Sequence, residues 1–336
     1  MIKNTFYGTN VKEMMKIRGR RDYGASFAVA KGDKIETCCV GSGRFGQDYP
    51  VNPDMLFQAA SISKPMFAMT LLRYVDRGLI DLDADLSGVV GDFVKFPVTF
   101  AALLSHTAGF NVHGFDGYRA DAPLLTLEDV LAGRGNSPKL RRIRPYGGQY
   151  MYSGGGITLA ELAFTRITGT TLREAFAREI AGPLGLTRTG YFQPLDEDLV
   201  PNAAFGGRLA YKEDPAHGWH YYPEHAAAGM WTTPTELTKL GIALSRSVRE
   251  GGILSKESAR RMVTPVMGGY GLCICEDDHI PDQVCHDGGN EGFLSYWTLS
   301  LTEDLCAAGM MNRINNRVFD DMCAFIDGVV ERVKEK

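Results

Sequence analysis

Phe57-Gln-Ala-Ala-Ser-Ile-Ser-Lys-Pro-Met-Phe-Ala-Met-Thr-Leu-Leu-Arg-Tyr-Val-Asp-Arg-Gly78 places one serine and one lysine three residues apart where an apolar helix begins. From Met66 to Val75 the residues are mostly apolar all round, broken by Thr70 and Arg73, which predicts a helix buried inside a domain rather than lying on its surface. Pro65 is tolerated only in a first turn, where its missing N–H has no intrahelical partner. The helix should therefore start near residue 62 with Ser61 at its mouth. Gly78 should end it. A spacing of three puts Ser61 and Lys64 on one face.

The pair has two readings. A serine hydroxyl is a poor nucleophile until its proton is removed, and a helix N-terminus favours the alkoxide that forms. Lys64 could be the base, provided burial and nearby positive potential bring its pKa down from about 10.4 toward neutrality. In the alternative, Ser61 caps a helix and Lys64 is solvated.

With 336 residues, 44% hydrophobic and 23% charged, the chain has material for a sizeable core and two lobes. A net charge of -4 gives no reason to expect nucleic acid or an acidic membrane as partner. No apolar run approaches the roughly 18 residues needed to span a bilayer. The N-terminal residues from Met1 to Asn10 lack the apolar core of a secretory signal, so a cytoplasmic location is expected. Seven cysteines follow neither a disulfide framework nor a zinc-site spacing, which predicts reduced, buried thiols. Cys273 and Cys275 alternate as in a strand. The sequence carries no signal of an oligomeric state.

Residues 5–20 are expected to form an N-terminal helix, followed by two strands, 25–32 and 34–41, joined by a turn at Lys31-Gly-Asp. Residues 79–215 are rich in helix starts at Thr99, Thr126 and Thr171, the last with Glu174 as a capping box. Thr233, Pro234 and Glu236 open another helix. Strand character returns at Tyr270–Cys275, Gly292–Ser300 and from Asp304 to Met311, and a helix from about Arg317 to Lys334 closes the chain. This order predicts a discontinuous α/β lobe, residues 1–78 and 216–336, carrying a helical lobe, residues 79–215, with the active site between them.

Two further stretches stand out. Pro145-Tyr-Gly-Gly-Gln-Tyr-Met-Tyr-Ser-Gly-Gly-Gly156 is a glycine-rich loop ahead of a helix that runs to about Thr168, and Cys285-His-Asp-Gly-Gly-Asn-Glu-Gly292 reads as a glycine turn before a strong strand. Alone, each is compatible with packed aromatics and a structural histidine.

In this order the pieces resemble the serine β-lactamase and penicillin-binding protein superfamily, in the branch of class C β-lactamases, DD-carboxypeptidases, D-aminopeptidases and family VIII carboxylesterases. Ser-x-x-Lys is matched by Ser61 and Lys64. Tyr-x-Asn is matched by Tyr152, but with Gly154 in place of asparagine. Lys-Thr-Gly or His-x-Gly is matched by His286 and Gly288. Leu103–Gly109, Gly182–Thr189 and Ala226–Thr233 look similar to the family's connecting segments. The resemblance implies a β-lactamase/transpeptidase-like α/β fold of the α+β type: an antiparallel sheet flanked by N- and C-terminal helices, with a mostly helical inserted lobe. It implies catalysis by Ser61, Lys64 and Tyr152, an oxyanion hole of the Ser61 and Gly289 backbone N–H groups, and no metal or cofactor. His286, Gly288, Asn290 and Gly154 are expected on the substrate side. Gly154 is expected to leave space where the family has an amide, which counts against efficient β-lactam hydrolysis.

Other residues invite competing readings. His106 could belong to a Ser-His-Asp triad, but Ser-Lys-Tyr chemistry needs no histidine base. His217, His220 and His225 suggest a metal, yet Pro223 prevents one regular helix from presenting all three, and a loop at the cleft mouth is the simpler reading. Trp219, Tyr221 and Tyr222, with His113, Phe115 and Tyr118, are either substrate-contacting aromatics or loop packing. The functional expectation is a serine hydrolase acting through an acyl-enzyme on a small-molecule ester or amide, a carboxylesterase first. The alternatives are a D-amino-acid-directed amidase or peptidase, a weak β-lactamase, and a non-catalytic penicillin-binding or sensory module.

Overall fold

The computed structural model describes residues 5–17, 19, 21–207, 218–278 and 280–334. Among them, a six-stranded antiparallel sheet is built from the two ends of the chain. β1 (Gly24–Lys31) and β2 (Lys34–Gly41) form the expected hairpin. Gly32 turns it at a φ of +61°, a conformation that costs glycine little. β3 (Cys275–Glu276), β4 (Gln283–Asn290), β5 (Phe293–Ser300) and β6 (Leu305–Met311) come from the C-terminal part, and the strand order is β2-β1-β6-β5-β4-β3. The junction of early and late strands is β1 with β6, in register from Ala25 opposite Met311 to Lys31 opposite Leu305.

The helices named below are α1 (Ser63–Asp76), α2 (Phe100–Leu104), α3 (Leu127–Leu131), α4 (Gly154–Thr168), α5 (Leu172–Phe176), α6 (His225–Ala228), α7 (Pro234–Glu250), α8 (Lys256–Val263) and α9 (Asn316–Lys334). Thr99, Thr126, Thr171 and Thr233 cap α2, α3, α5 and α7 as their sequence contexts predict, and Thr126 and Thr171 complete capping boxes with Asp129 and Glu174. α9 covers one face of the sheet, where Met322, Phe325 and Val329 join Phe27 and Val29 in one core cluster. α7 lies on the other face, so close that a Cβ on Gly241 would come within 2.3 Å of Cys306 Sγ. The Trp297 indole N–H donates to the Leu237 carbonyl at 2.9 Å and ties the layers together. Among the described residues no helix is long and apolar enough to cross a membrane.

Several expectations need correction. The described residues among 5–20 do not form the expected long helix: Thr5–Phe6 and Thr9–Asn10 pair as a hairpin, and a single turn, Val11–Met14, follows. Tyr7 and Gly8, at φ of +49° and +82°, make a tight reversal that no helix accommodates. The stretch Tyr270–Cys275 is not a strand either. Gly268, Gly269 and Cys273 have positive φ, and the Cys273 N–H donates to the Leu104 carbonyl at 2.8 Å, so this segment coils against α2 and α8 before joining the sheet at Cys275. Conversely, the expected glycine turn at 285–290 is strand β4, paired along its length with β5. The seven cysteines are free thiols, but Cys275, Cys285 and Cys323 are half-buried rather than buried.

Candidate active site

The turn that carries Ser61 is held in an uncommon conformation. Ala60 has a φ of +50°, and Ala60–Ile62 forms a single 3-10 turn ahead of α1, so the α-helix proper starts at Ser63. Four contacts hold this turn. The Ala59 N–H donates to the Met230 carbonyl at 2.9 Å, the Ser295 hydroxyl to the Ala59 carbonyl at 2.8 Å, the Ser63 hydroxyl to the Ala60 carbonyl at 2.5 Å, and the Tyr191 hydroxyl to the Ser63 carbonyl at 2.8 Å. β4 presses on it directly: a Cβ on Gly288 would lie 2.3 Å from the Ala59 oxygen and 3.0 Å from the Ser61 nitrogen. Glycine at 288 is therefore a condition for bringing the sheet edge against Ser61.

Lys64 points back along the helix face toward Ser61. Its Nζ donates to Ser61 Oγ at 2.8 Å and to the Ala227 carbonyl at 2.7 Å, and lies 4.9 Å from the centre of the Tyr152 ring. The side chain is 2% exposed, and no ion-pairing carboxylate is found for it among the described residues. Burial drives its pKa down to about 7, with Cys273 and Asp287 acting weakly the other way.

Tyr152 sits just before α4, which Ser153 caps by accepting the Gly156 N–H. Burial pushes its hydroxyl well above the ordinary phenol range, and a hydrogen bond with Ser61 acts in the opposite sense. Its ring lies between His106, at 4.4 Å between centroids, and His113, at 4.9 Å. His286, on β4, uses Nδ1 on the Asp287 carbonyl at 2.6 Å and Nε2 on the Tyr270 hydroxyl at 2.8 Å. That pattern makes Nδ1 the protonated nitrogen and Tyr270 the donor to Nε2. Burial holds His286 below its ordinary pKa, so the ring is neutral.

Ser61, Lys64, Tyr152, His286 and Gly288 thus converge, and Gly289 follows Gly288 on β4 as an exposed residue. Gly154 does not leave space. A Cβ there would meet the Phe115 ring at 2.8 Å and the His113 carbonyl oxygen at 3.0 Å, so an aromatic side chain occupies the place that the absent amide was expected to open. Asn290 is not on the substrate side either: its amide donates inward, to Gln58 Oε1 at 2.8 Å and to the Ala228 carbonyl at 3.0 Å. Trp219, 5% exposed, stands edge-on to Phe205 and Trp231, and Tyr221, 3% exposed, bonds the Pro123 carbonyl. Tyr118 packs on Tyr221 and accepts the Asn136 N–H at 3.0 Å. These three aromatics pack the loops together, because strands Tyr118–Arg119 and His220–Tyr221 pair and turn them inward.

His106 is buried and neutral, its Nδ1 accepting the Ser153 N–H at 3.1 Å, and it stacks on Tyr152 rather than bonding Ser61, so it forms no triad. His217 lies outside the described residues. His220 bonds the Asp116 carbonyl and His225 the Glu161 carboxylate, two separate places. Sequence reasoning placed Tyr270 only as the first residue of an expected strand, and passed over Glu161, whose signal is legible as the one acid inside the apolar run Ile157–Phe164. The Ala227 carbonyl, a backbone atom, left no side-chain signal at all.

The chain is similar to several known proteins. Penicillin-binding protein 4 of Amycolatopsis lactamdurans is 25% identical over 86% of this chain and 80% of its own length. Esterase EstB of Burkholderia gladioli is 29% identical over 52% of this chain and 48% of its own. The structure of D-amino acid amidase from Ochrobactrum anthropi SV3 superposes with a TM-score of 0.76, covering 97% of this chain and 99% of that one at 20% identity, which shows a shared fold. With the Beta-lactamase family profile matched over residues 9–327, the chain belongs to that family, within the superfamily of serine β-lactamases and penicillin-binding proteins.

Proposed function

We propose that this member of a family of serine hydrolases turns over a small-molecule ester through an acyl-enzyme on Ser61. The observation that carries the reading is Lys64: a buried lysine brought down to about 7, with Nζ 2.8 Å from Ser61 Oγ, is a base poised for neutral pH. In the proposed cycle Ser61 Oγ attacks the ester carbonyl while its proton passes to Lys64. The oxyanion accepts hydrogen bonds from the backbone N–H groups of Ser61 and Gly289. Tyr152, whose phenol keeps its proton, protonates the departing alcohol and regains a proton from Lys64. A water then repeats the steps in reverse and releases the acid. His286, kept neutral and oriented by Tyr270, lines the cleft from β4.

The site would lie between the α/β lobe, residues 1–78 and 216–336, which supplies Ser61, Lys64 and Gly289, and the helical lobe, residues 79–215, which supplies Tyr152. Ester is favoured over β-lactam because Phe115 closes the place beside Gly154 with an apolar ring, where an acyl amide would find no partner. The esterase relative supports the same choice. The test is hydrolysis of p-nitrophenyl butyrate, nitrocefin and a D-alanyl p-nitroanilide, side by side, by the wild type and Ser61→Ala. Serine-dependent turnover of the butyrate alone supports the proposal. Turnover of the anilide moves the assignment to a D-amidase, and no turnover with no labelling of Ser61 moves it to a binding module.

A further inference from the structure

Glu161 is a charged residue in an apolar place. It sits in the middle of α4, is 1% exposed, and is flanked by the buried Leu159, Ala160, Leu162 and Ala163. Leaving a carboxylate there is costly unless each oxygen is satisfied. Both are: Oε2 accepts the Ala226 N–H at 2.8 Å, and Oε1 lies 2.9 Å from His225 Nδ1. These two partners open α6, and the next residue, Ala227, gives its carbonyl to Lys64 Nζ at 2.7 Å.

We propose that Glu161 is a positioning residue for Lys64, clamping α6 so that the Ala227 carbonyl holds the lysine nitrogen against Ser61. A neutral amine has two hydrogens and one lone pair. When one hydrogen is committed to the Ala227 oxygen, rotation about the terminal bond is restricted and the lone pair can face the Ser61 hydroxyl, the orientation a base needs. The Ala227 carbonyl is the acceptor found for Lys64 besides Ser61 among the described residues. The inference rests on the reading of Lys64 as the base.

The surrounding charges are consistent with a clamp that stays closed at neutral pH. Burial opposes the charge on His225, but Glu161 outweighs it and holds the imidazole above its ordinary pKa, with Glu224 adding to and Arg173 subtracting from the effect. Glu224 is itself buried, and burial brings it up to about 7, with its own backbone N–H acting the other way. Tyr191 also feels Glu161. Around Lys64 the titratable groups are Tyr152, His106, Cys273, His286 and Asp287.

The experiment measures the rate at which a fluorophosphonate probe labels Ser61 across pH, together with steady-state hydrolysis of p-nitrophenyl butyrate, in the wild type, Glu161→Leu, Glu161→Gln and His225→Leu. Glu161→Leu should label about 10- to 100-fold more slowly, with kcat reduced, KM nearly unchanged and the acid limb of the pH profile displaced. Glu161→Gln, whose amide oxygen still accepts the Ala226 N–H, should stay within a few-fold of the wild type. His225→Leu, which removes half of the clamp, should fall between them and serves if Glu161→Leu does not fold. Wild-type labelling rates and an unshifted acid limb in Glu161→Leu or His225→Leu would overturn the proposal, as would a Glu161→Gln variant as slow as the leucine variant. A wild type that does not label at Ser61 at all brings down the acyl-enzyme reading, and this inference with it.

Discussion

As the proposed base, Lys64 sets the expected pH dependence of turnover. Only its neutral form can accept the Ser61 proton, so kcat/KM should rise with pH through a pKa near 7. It should then stay level, because Tyr152 is held well above 10 and keeps its proton. A pH–rate profile with p-nitrophenyl butyrate checks this, and a profile flat from pH 5 upward would remove Lys64 as the base. The same shift has a cost in stability. Between about 7 and 10.5 the unfolded lysine is protonated while the folded one is not, so the unfolded state binds more protons and stability rises with pH across that window. Lys64→Met should therefore be more stable than the wild type, most clearly below neutral pH, by an amount on the order of a few kcal/mol in denaturant melts. Tyr152→Phe should keep the fold and lower kcat by about 10²- to 10⁴-fold.

At the scale of single elements, two glycines set how closely neighbouring segments approach. β4 reaches the Ser61 turn because residue 288 has no side chain. Gly288→Ala must push the strand away from Ala59 and Ser61, and should lose activity far more than stability. Labelling of Ser61 compared with thermal unfolding separates the two effects. The other glycine opens α4. Gly154→Asn, which restores the family's Tyr-x-Asn spacing, should lower the melting temperature, because Phe115 and the His113 carbonyl already occupy the space. Adding Phe115→Ala should recover part of that loss. A Gly154→Asn protein as stable as the wild type would show that the Phe115 ring moves aside freely.

At the scale of the whole molecule, strands from both ends of the chain close one sheet, and Asn312 fastens the junction. Its Oδ1 accepts the Gly24 N–H at 2.7 Å, and its Nδ2 faces the carbonyls of Ser42, Gly43 and Phe205 at 3.2, 2.9 and 2.9 Å. It is fully buried at the end of β6. Asn312→Ala removes one partner from each of four backbone groups, of which the Gly43 carbonyl keeps the Phe205 N–H, and should cost about 2–4 kcal/mol in equilibrium unfolding. A variant within about 0.5 kcal/mol of the wild type would mean that solvent or a rearranged loop replaces these bonds.

The local signals were written in the sequence. Pro65 after Ser-Ile-Ser-Lys places the serine and lysine at a helix start, threonines cap α2, α3, α5 and α7, and the hairpin of β1 and β2 follows from its turn. Each of these depends on residues a few positions apart, and short-range chemistry decides it. What lay beyond the sequence depends on partners far along the chain. Phe115 fills the place beside Gly154, Asn290 turns inward to Gln58 and Ala228, Tyr221 and Trp219 go to packing, and a glycine-rich stretch becomes strand β4 once β5 pairs with it. The Ala227 carbonyl that meets Lys64 belongs to no motif, because any residue carries a carbonyl and only the path of α6 brings this one to the lysine. Residue identity determined which chemistry was present; tertiary packing decided which groups face the serine, since one side of every element must be buried and the sequence does not name the partner that buries it.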